Sequence, residues 1–460
     1  MVIERKIYQK MLDWKNRKHN CLVITGQRQV GKTFIIDAFA RKEYDNYVRL
    51  DLSTEPELKN IFEDDIEISE IMRKLKLRFG SDTVIEGSTL LFIDEIQESD
   101  WAYSSLKQFS IYGKIDVIAS GSLLEVVPFS SNNHDTGIKK PLVPVGYVEY
   151  LYMYPLDFEE YIWAHNISKD VSTELRGNIR ERKALDQFTY QRLNQLFREF
   201  MIVGGMPRAV DEFIKNGEFG SVDSVLRDII TTGMKDINRY NSGTDIIKTS
   251  ECFMSIPFQL AESNKKFMYS RINDEPSRKS SERYMENLLW IKMAGYGNFC
   301  YSLKQLSLPL KGNMMKRSFR IYLSDTGILL EMYGNKAKSA IYEGDYSYNM
   351  GAITENVVID NIRKCGYEPA YYRKDKGADK MELDVVLEFW DGIAAIEVKS
   401  GKDRDAPSLK KTLNLPNIKR KIMFENGNIG MDKDGIEHYP LFASAFMDEI
   451  DVKPQGSLFD

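Results

Sequence analysis

Cysteine and histidine are scarce, with four of each in 460 residues. Cys21, Cys252, Cys300 and Cys365 stand apart in no CxxC or finger-like spacing, which excludes a disulfide framework and a structural zinc site and points to a reducing, cytoplasmic setting. His19, His134, His165 and His438 are equally scattered, which disfavours a His-rich metal centre or a Ser/His/Asp triad. No apolar run approaches the roughly 18 residues of a membrane span. The opening MVIERKIYQK carries charge where an export signal needs apolar residues, so no membrane partner is expected. Nor is there a surplus of positive charge. Lys+Arg number 63 against 68 Asp+Glu, a formal net charge of −5, so any surface for nucleic acid must be local. Chemistry in such a chain rests on carboxylates, lysines and phosphates.

The chain is 43% hydrophobic and 28% charged, a globular composition; at about 150 residues per domain it has material for roughly three cores. Short β-branched runs at 21–25, 47–52, 89–94 and 115–119 alternate with helical stretches, the pattern of a parallel sheet covered by helices. The polar segment 130–140 reads as a loop. Helical patterning dominates 157–215, broken at Gly204, Gly205 and Pro207, and returns over 225–310. A strand at 319–323 then leads into a second mixed unit, with a helix at 352–364 and strands at 382–388 and 393–399.

The strongest motif is Gly26-Gln27-Arg28-Gln29-Val30-Gly31-Lys32-Thr33, a complete GxxxxGK[ST] between an apolar strand and a helix at 34–41. Glycines permit a tight loop whose amides surround a β-phosphate, Lys32 neutralises β/γ oxygens, and the Thr33 hydroxyl ligates Mg²⁺. The run LLFIDE places Asp94 and Glu95 at the carboxyl end of a buried strand, where α/β sheets put their ligands. Asp94 is expected to hold the ion through water and Glu95 to polarise the attacking water. The next strand ends at Ser120-Gly121-Ser122; Ser120 is either a γ-phosphate sensor or part of a serine–glycine turn.

These elements, followed by ASGS, PLDFEEY (155–161) and GGMP (204–207), resemble the AAA-type ATPases (AAA_14) of bacteria and archaea that carry a C-terminal domain of unknown function, DUF4143. The resemblance covers nearly the whole chain in the expected order. It implies ATP and Mg²⁺ as ligands, a helical lid and a winged-helix element. One departure stands out: Gly146 is followed by Tyr147 where the family has an arginine. The arginine finger is thereby unassigned, with Arg28 and Arg208 as candidates. Lys265, Lys266, Arg271, Arg278, Lys279 and Arg283, interleaved with Tyr269 and Tyr284, form either a DNA-facing surface or a solvated basic face.

Near the C-terminus the two-residue strand period puts Glu382 and Asp384 on one face of a strand, and Glu397 with Lys399 on one face of the next. Shared between adjacent strands, Asp384, Glu397 and Lys399 would make an oxygen-rich Mg²⁺ or Mn²⁺ site beside an ammonium, suited to phosphodiester hydrolysis. The order resembles the PD-(D/E)xK nuclease fold, with Glu355 on the preceding helix as an additional acid. The alternative is an inherited fold with a strand-end ion pair and no activity. Arg373, Lys374, Lys376, Lys410, Lys411, Lys419, Arg420 and Lys421 surround it in sequence as a candidate basic surface.

The expected fold class is multidomain α/β: a P-loop ATPase core over 1–155, a helical lid over 156–225, a winged-helix-like part over 226–315, a restriction-endonuclease-like α/β domain over 316–450, and a flexible tail over 451–460. The expected function is an ATP-hydrolysing, DNA-processing protein in which nucleotide state controls a metal-dependent nuclease. The alternative is an ATP-driven switch that binds nucleic acid or a protein without cutting; a metabolite kinase is disfavoured because Glu95 beside Asp94 suits water attack. A homo-oligomer is compatible with this reading. The tail residues Gln455, Leu458 and Phe459 resemble a sliding-clamp peptide, with Gly456 departing from the usual leucine; the alternative is a terminus folded on its own domain.

Overall fold

A computed structural model describes residues 3–63, 67–122, 144–240, 244–272, 280–345, 350–377, 380–401 and 405–452. The loop expected at 130–140, the basic residues Arg278 and Lys279 and the tail carrying Gln455, Leu458 and Phe459 lie outside the described residues. The chain divides into two compact units, Glu4–Tyr154 and, with the first three residues, Pro155–Asp460.

The first unit holds five parallel strands, β1 (Cys21–Thr25), β2 (Asn46–Asp51), β3 (Thr89–Asp94), β4 (Asp116–Gly121) and β5 (Val148–Tyr152), in the order β2-β3-β4-β1-β5. Its helices are α1 (Lys6–Lys15), α2 (Lys32–Glu43), α3 (Ile68–Phe79) and α4 (Asp100–Tyr112). β3 is buried along its whole length, as a strand covered by helices on both faces must be, so its apolar run is continuous rather than alternating. Leu91 and Ile93 join Val23, Leu50, Ile71, Leu106 and Phe109 in one core. α4 starts where Ser99 accepts the Ala102 amide and stops at Gly113 in the left-handed region, so its ends are encoded locally.

The second unit opens with helices α5 (Phe158–Ala164), α6 (Lys169–Glu181), α7 (Gln187–Val203), α8 (Pro207–Asn216), α9 (Phe219–Tyr240), α10 (Thr244–Leu260) and α11 (Ser280–Met293). Asp157 begins α5 with a capping box closed by Glu160. An eight-stranded mixed sheet follows, in the order β12-β13-β11-β10-β9-β8-β6-β7. Its strands are β6 (Gly297–Leu303), β7 (Met314–Leu323), β8 (Ala370–Lys374), β9 (Met381–Phe389), β10 (Gly392–Val398), β11 (Ile418–Glu425), β12 (Gly430–Met431) and β13 (Glu437–Pro440). Helices α12 (Leu310–Asn313), α13 (Thr326–Tyr333), α14 (Asn335–Glu343), α15 (Met350–Lys364), α16 (Pro407–Lys411) and α17 (Met447–Ile450) complete it.

The expected division at residue 315 falls inside β7. β6, ahead of it, pairs antiparallel with β7 and parallel with β8, so a strand from the expected winged-helix-like part extends the C-terminal sheet. The backbone ladder decides this: neither strand can leave the other without orphaning a row of buried amides. α15 is buried on nearly every side, and its Asn356 exchanges both amide hydrogen bonds with the backbone of Leu323, at 2.8 and 3.1 Å, fixing helix to strand end.

Candidate functional site

The motif 26–33 closes as a tight turn between β1 and α2. Gly26 has φ +142°, and a Cβ there would stand 2.2 Å from the Met153 carbonyl oxygen, so a side chain is excluded both by conformation and by space. Gln29 (φ +63°) and Gly31 (φ +92°) complete the loop. Gly31 offers α2 no side-chain cap, and a helix N-terminus of this kind favours an anionic ligand. Lys32 is buried and donates to the carbonyls of Gly26 (2.8 Å) and Gln27 (2.9 Å), arched back over the loop. Arg5 braces the loop from outside by donating to the Val30 carbonyl at 3.1 Å and to that of Tyr154 at 2.6 Å.

Asp94 is 2% exposed at the end of β3. Its Oδ1 accepts from Thr33 Oγ1 at 3.2 Å and from the Ser120 hydroxyl, and its Oδ2 accepts from Arg49 at 2.7 Å. Thr33, Asp94 and Ser120, expected at one site, are thus brought together by three neighbouring elements, α2, β3 and β4. Glu95 follows in the left-handed region (φ +53°, ψ +49°), a costly conformation for a glutamate, and accepts from the Gln97 side chain. Arg49 is a residue that the motif search missed. It sits on β2 one strand over, in register with Phe92, and also reaches Asp51 (3.0 Å) and Asp37 (3.4 Å). Burial works against its charge, but Asp94, Asp37 and Asp51 outweigh that and hold its pKa above the usual value. The signal was present in YVRLDL, where the strand period puts Arg49 and Asp51 on one face.

These groups suit a nucleotide and its magnesium ion: the N-terminal end of α2 and a lysine on the phosphate side, and a hydroxyl paired with a buried carboxylate on the metal side. Arg208, the second arginine considered, belongs to the other unit and pairs there with Asp228 at 2.8 Å.

The C-terminal acids converge less simply. The β9–β10 ladder pairs Val385 with Ile396, and Asp384 then turns its Oδ2 to the Val398 amide at 3.0 Å. Glu397 near the end of β10 and Lys399 just beyond it pair at 3.0 Å, keeping the two-residue alternation of the strand. Burial, then the charges of Glu355 and Glu397, raise the Asp384 carboxyl to about 8, and burial raises Glu397 as well. Glu355 on α15, 3% exposed, is held by the Lys265 ammonium on Oε1 and by the Tyr322 hydroxyl at 3.0 Å on Oε2. Arg320, fully buried, pairs with Glu382 and lies 3.9 Å from Glu355.

Two expectations are corrected here. Among the described residues no three carboxylate, His or Cys groups are arranged so as to hold a metal ion, so Glu355, Asp384 and Glu397 do not form the expected cage as folded. Glu355 is instead held by Lys265 and Tyr322, Asp384 accepts from the Val398 amide, and Glu397 pairs with Lys399 through Oε1 while its Oε2 has no hydrogen-bond partner. Second, the basic residues do not all face solvent. Lys265 is turned inward and Arg420 is spent on Glu437, whereas Arg271 stays exposed beside Glu262.

Comparison with known proteins gives three domain matches: an AAA domain (AAA_14) over residues 18–162, a domain of unknown function (DUF8612) over 194–339, and a domain of unknown function (DUF4143) over 350–442. The uncharacterized protein MJ1637 of Methanocaldococcus jannaschii is 23% identical over 413 residues, spanning 86% of this chain and 79% of that protein. Among solved structures, the Walker-type ATPase PABY2304 of Pyrococcus abyssi is similar at 12% identity and a TM-score of 0.43, covering 72% of this chain and 96% of that one. The RuvB Holliday junction branch migration motor of Thermotoga maritima is similar at 14% identity and a TM-score of 0.28, covering 64% and 89%. No described helix is long and apolar enough to cross a membrane. The chain therefore carries an AAA-type P-loop ATPase domain on a parallel sheet, followed by a mixed-sheet unit that includes a DUF4143 domain.

Proposed function

We propose that the first unit binds ATP and hydrolyses it with Mg²⁺, and that the second unit acts on DNA under control of the nucleotide. The observation that carries the hydrolytic reading is the Thr33–Asp94 contact of 3.2 Å beside the Lys32 loop, which puts metal-side and phosphate-side groups at one strand end. Thr33 and Asp94 would hold a Mg²⁺ ion, which would supply positive charge against that developing on the phosphates. Lys32 exchanges its two carbonyl partners for phosphate oxygens, and the α2 amides receive the remainder of that charge. Glu95, at the end of β3, takes a proton from the attacking water. Ser120, hydrogen-bonded to Asp94, would report on the γ-phosphate. Arg49 anchors Asp94 from β2 and acts as a positioning residue.

Glu95→Gln should retain nucleotide binding while turnover falls by about 10²- to 10⁴-fold, because only the proton acceptor is removed. Lys32→Ala should weaken binding itself. The check is a steady-state phosphate-release assay with a parallel nucleotide titration. Equal turnover by Glu95→Gln and the parent removes Glu95 from this role.

For the second unit, the order Glu355, Asp384, Glu397, Lys399 supports a nuclease, with DNA the substrate class. The rival reading, a nucleotide-driven switch that grips nucleic acid or protein without cutting, is favoured by one specific observation: the three acids are not arranged as metal ligands. Incubation with linear and single-stranded DNA, with and without ATP and Mn²⁺, separates the two. Cleavage abolished by Lys399→Ala supports the nuclease, and binding without cleavage supports the switch.

A further inference from the structure

The edge of the eight-stranded sheet is interrupted near the start of β7. Tyr301 on β6 lies opposite Phe319, but the next residue, Ser302, lies opposite Met315, so Lys316, Arg317 and Ser318 fill the interval with no partner on β6. β7 is the outermost strand, and just past this bulge its outer side is met by the Phe267 amide, which donates to the Phe319 carbonyl at 2.9 Å. Lys316 and Arg317 are exposed, and among the described residues neither pairs with a carboxylate. Charge and a bulge on an edge strand are a common defence against pairing with another chain, so these features alone name no ligand.

The surroundings add aromatic rings. Arg320 and Tyr322 face Glu355 on α15, so the strand alternation turns Phe319, with Tyr301 opposite it, to the other side of the sheet. There the Phe319 ring lies 5.9 Å from that of Tyr301 and 6.3 Å from that of Tyr269. Phe319 is buried, whereas Tyr301 and Tyr269 are half-buried and keep part of their rings at the surface. Lys292, exposed in the last turn of α11, holds its ammonium 5.4 Å from the Tyr301 ring centroid and, among the described residues, also pairs with no carboxylate. Burial raises the Tyr269 hydroxyl, and the Arg317 charge opposes that rise, which puts the guanidinium within electrostatic reach of this ring.

We propose that the β7 bulge and the rings beside it form a contact surface for single-stranded nucleic acid, with Lys292, Lys316 and Arg317 on phosphates and Tyr301 and Tyr269 against bases. The proposal rests on the reading of the second unit as acting on DNA. Three exposed cations without acids gather here in a chain of net charge −5, which is the local complement a polyanion requires. Ring faces next to cations suit unpaired bases, which a single strand offers and a duplex keeps stacked inside. A peptide strand is the poorer occupant, because the bulge breaks the regular row of amides and carbonyls to which an added strand would pair. None of the three cations belongs to the basic runs legible in the sequence; they meet only because β7 bulges beside the end of α11.

The test is binding of a fluorescent oligothymidylate to the full chain, followed by anisotropy over a range of salt concentrations. Lys316→Ala/Arg317→Ala should weaken binding on the order of tenfold at about 0.1 M salt and flatten the slope of log Kd against log salt by about 1.4, since each lost single-strand phosphate contact removes about 0.7. Lys183→Ala/Lys336→Ala, which removes the same charge from exposed positions elsewhere on the unit, should leave the slope unchanged. Tyr301→Leu should weaken binding on the order of tenfold at an unaltered slope, and Tyr301→Phe should restore it, because a base needs the ring and not the hydroxyl. A Lys316→Ala/Arg317→Ala protein that melts like the parent and binds with the parent's affinity and slope overturns the proposal and leaves the DNA reading intact; should Tyr301→Leu fail to fold, this exposed pair decides alone. Duplex bound more tightly than single strand through the same two cations, or polyglutamate bound as tightly as the oligonucleotide, also overturns it. A parent that binds neither single strand nor duplex, with or without ATP and Mg²⁺, ends the DNA reading and this surface with it.

Discussion

Asp384 is the residue whose protonation the fold changes most legibly. Its carboxyl, ordinarily at 3.8, rises to about 8 through burial and then through the charges of Glu355 and Glu397. Between those values the native chain keeps a proton that the unfolded chain has released, so this group costs stability increasingly as pH rises from about 4 to 8. Asp384→Asn, which still accepts the Val398 amide but cannot ionise, should melt several degrees above the parent at pH 8 in EDTA. The difference should shrink as pH falls toward about 4. Thermal denaturation across that range checks it, and a variant less stable at pH 8 with an unaltered pH slope would contradict the assignment.

At the scale of elements, the Gly204-Gly205 pair shows why a helical pattern breaks where it does. α7 ends at Gly204 (φ +76°), where a Cβ would stand 2.2 Å from the Asp325 carboxylate, and a Cβ on Gly205 would stand 2.1 Å from the Leu156 carbonyl oxygen. Leu156 donates its amide to Gly205 at 2.7 Å, and Gly205 donates to Asp325, the cap of α13, at 2.6 Å. Three segments therefore meet at contact distances that only glycine allows. Gly205→Ala should destabilise the second unit by about 2–4 kcal/mol, because rigid backbone rather than a yielding side chain lies in the way. Gly217→Ala is the control: it ends α8 at φ +68° with nothing within 4 Å, and should cost only about 1–2 kcal/mol of left-handed strain. Denaturant unfolding of both variants tests the ranking, and equal losses would refute the crowding argument.

The whole molecule consists of two units, each with its own sheet and buried core. Because the nucleotide groups all lie in Glu4–Tyr154, ligand binding should stabilise the transition of that unit. The gain is about 2.7 kcal/mol at a hundredfold excess over Kd, and the other transition should move less. Scanning calorimetry with and without ATP and Mg²⁺ should show two transitions, one nucleotide-dependent and losing that dependence in Lys32→Ala. Equal displacement of both transitions would mean that the units unfold together.

The nucleotide loop, its strand and its helix were fully legible in the amino-acid sequence. Their information is local: eight consecutive residues, an uninterrupted apolar strand before them, and acids at the end of another such strand. The strand period likewise paired Glu397 with Lys399 and needed no tertiary knowledge. Other features were decided only when the chain closed on itself. Arg49 meets Asp94 across 45 residues, Lys265 meets Glu355 across 90, and a strand ahead of residue 315 joins the C-terminal sheet. Sequence states that Lys265 is basic, and composition alone would place it in water; its direction depends on a left-handed backbone angle and on acids brought beneath it by another helix. Local preference settles which elements form, whereas burial of charge is settled by which distant partner arrives to compensate it.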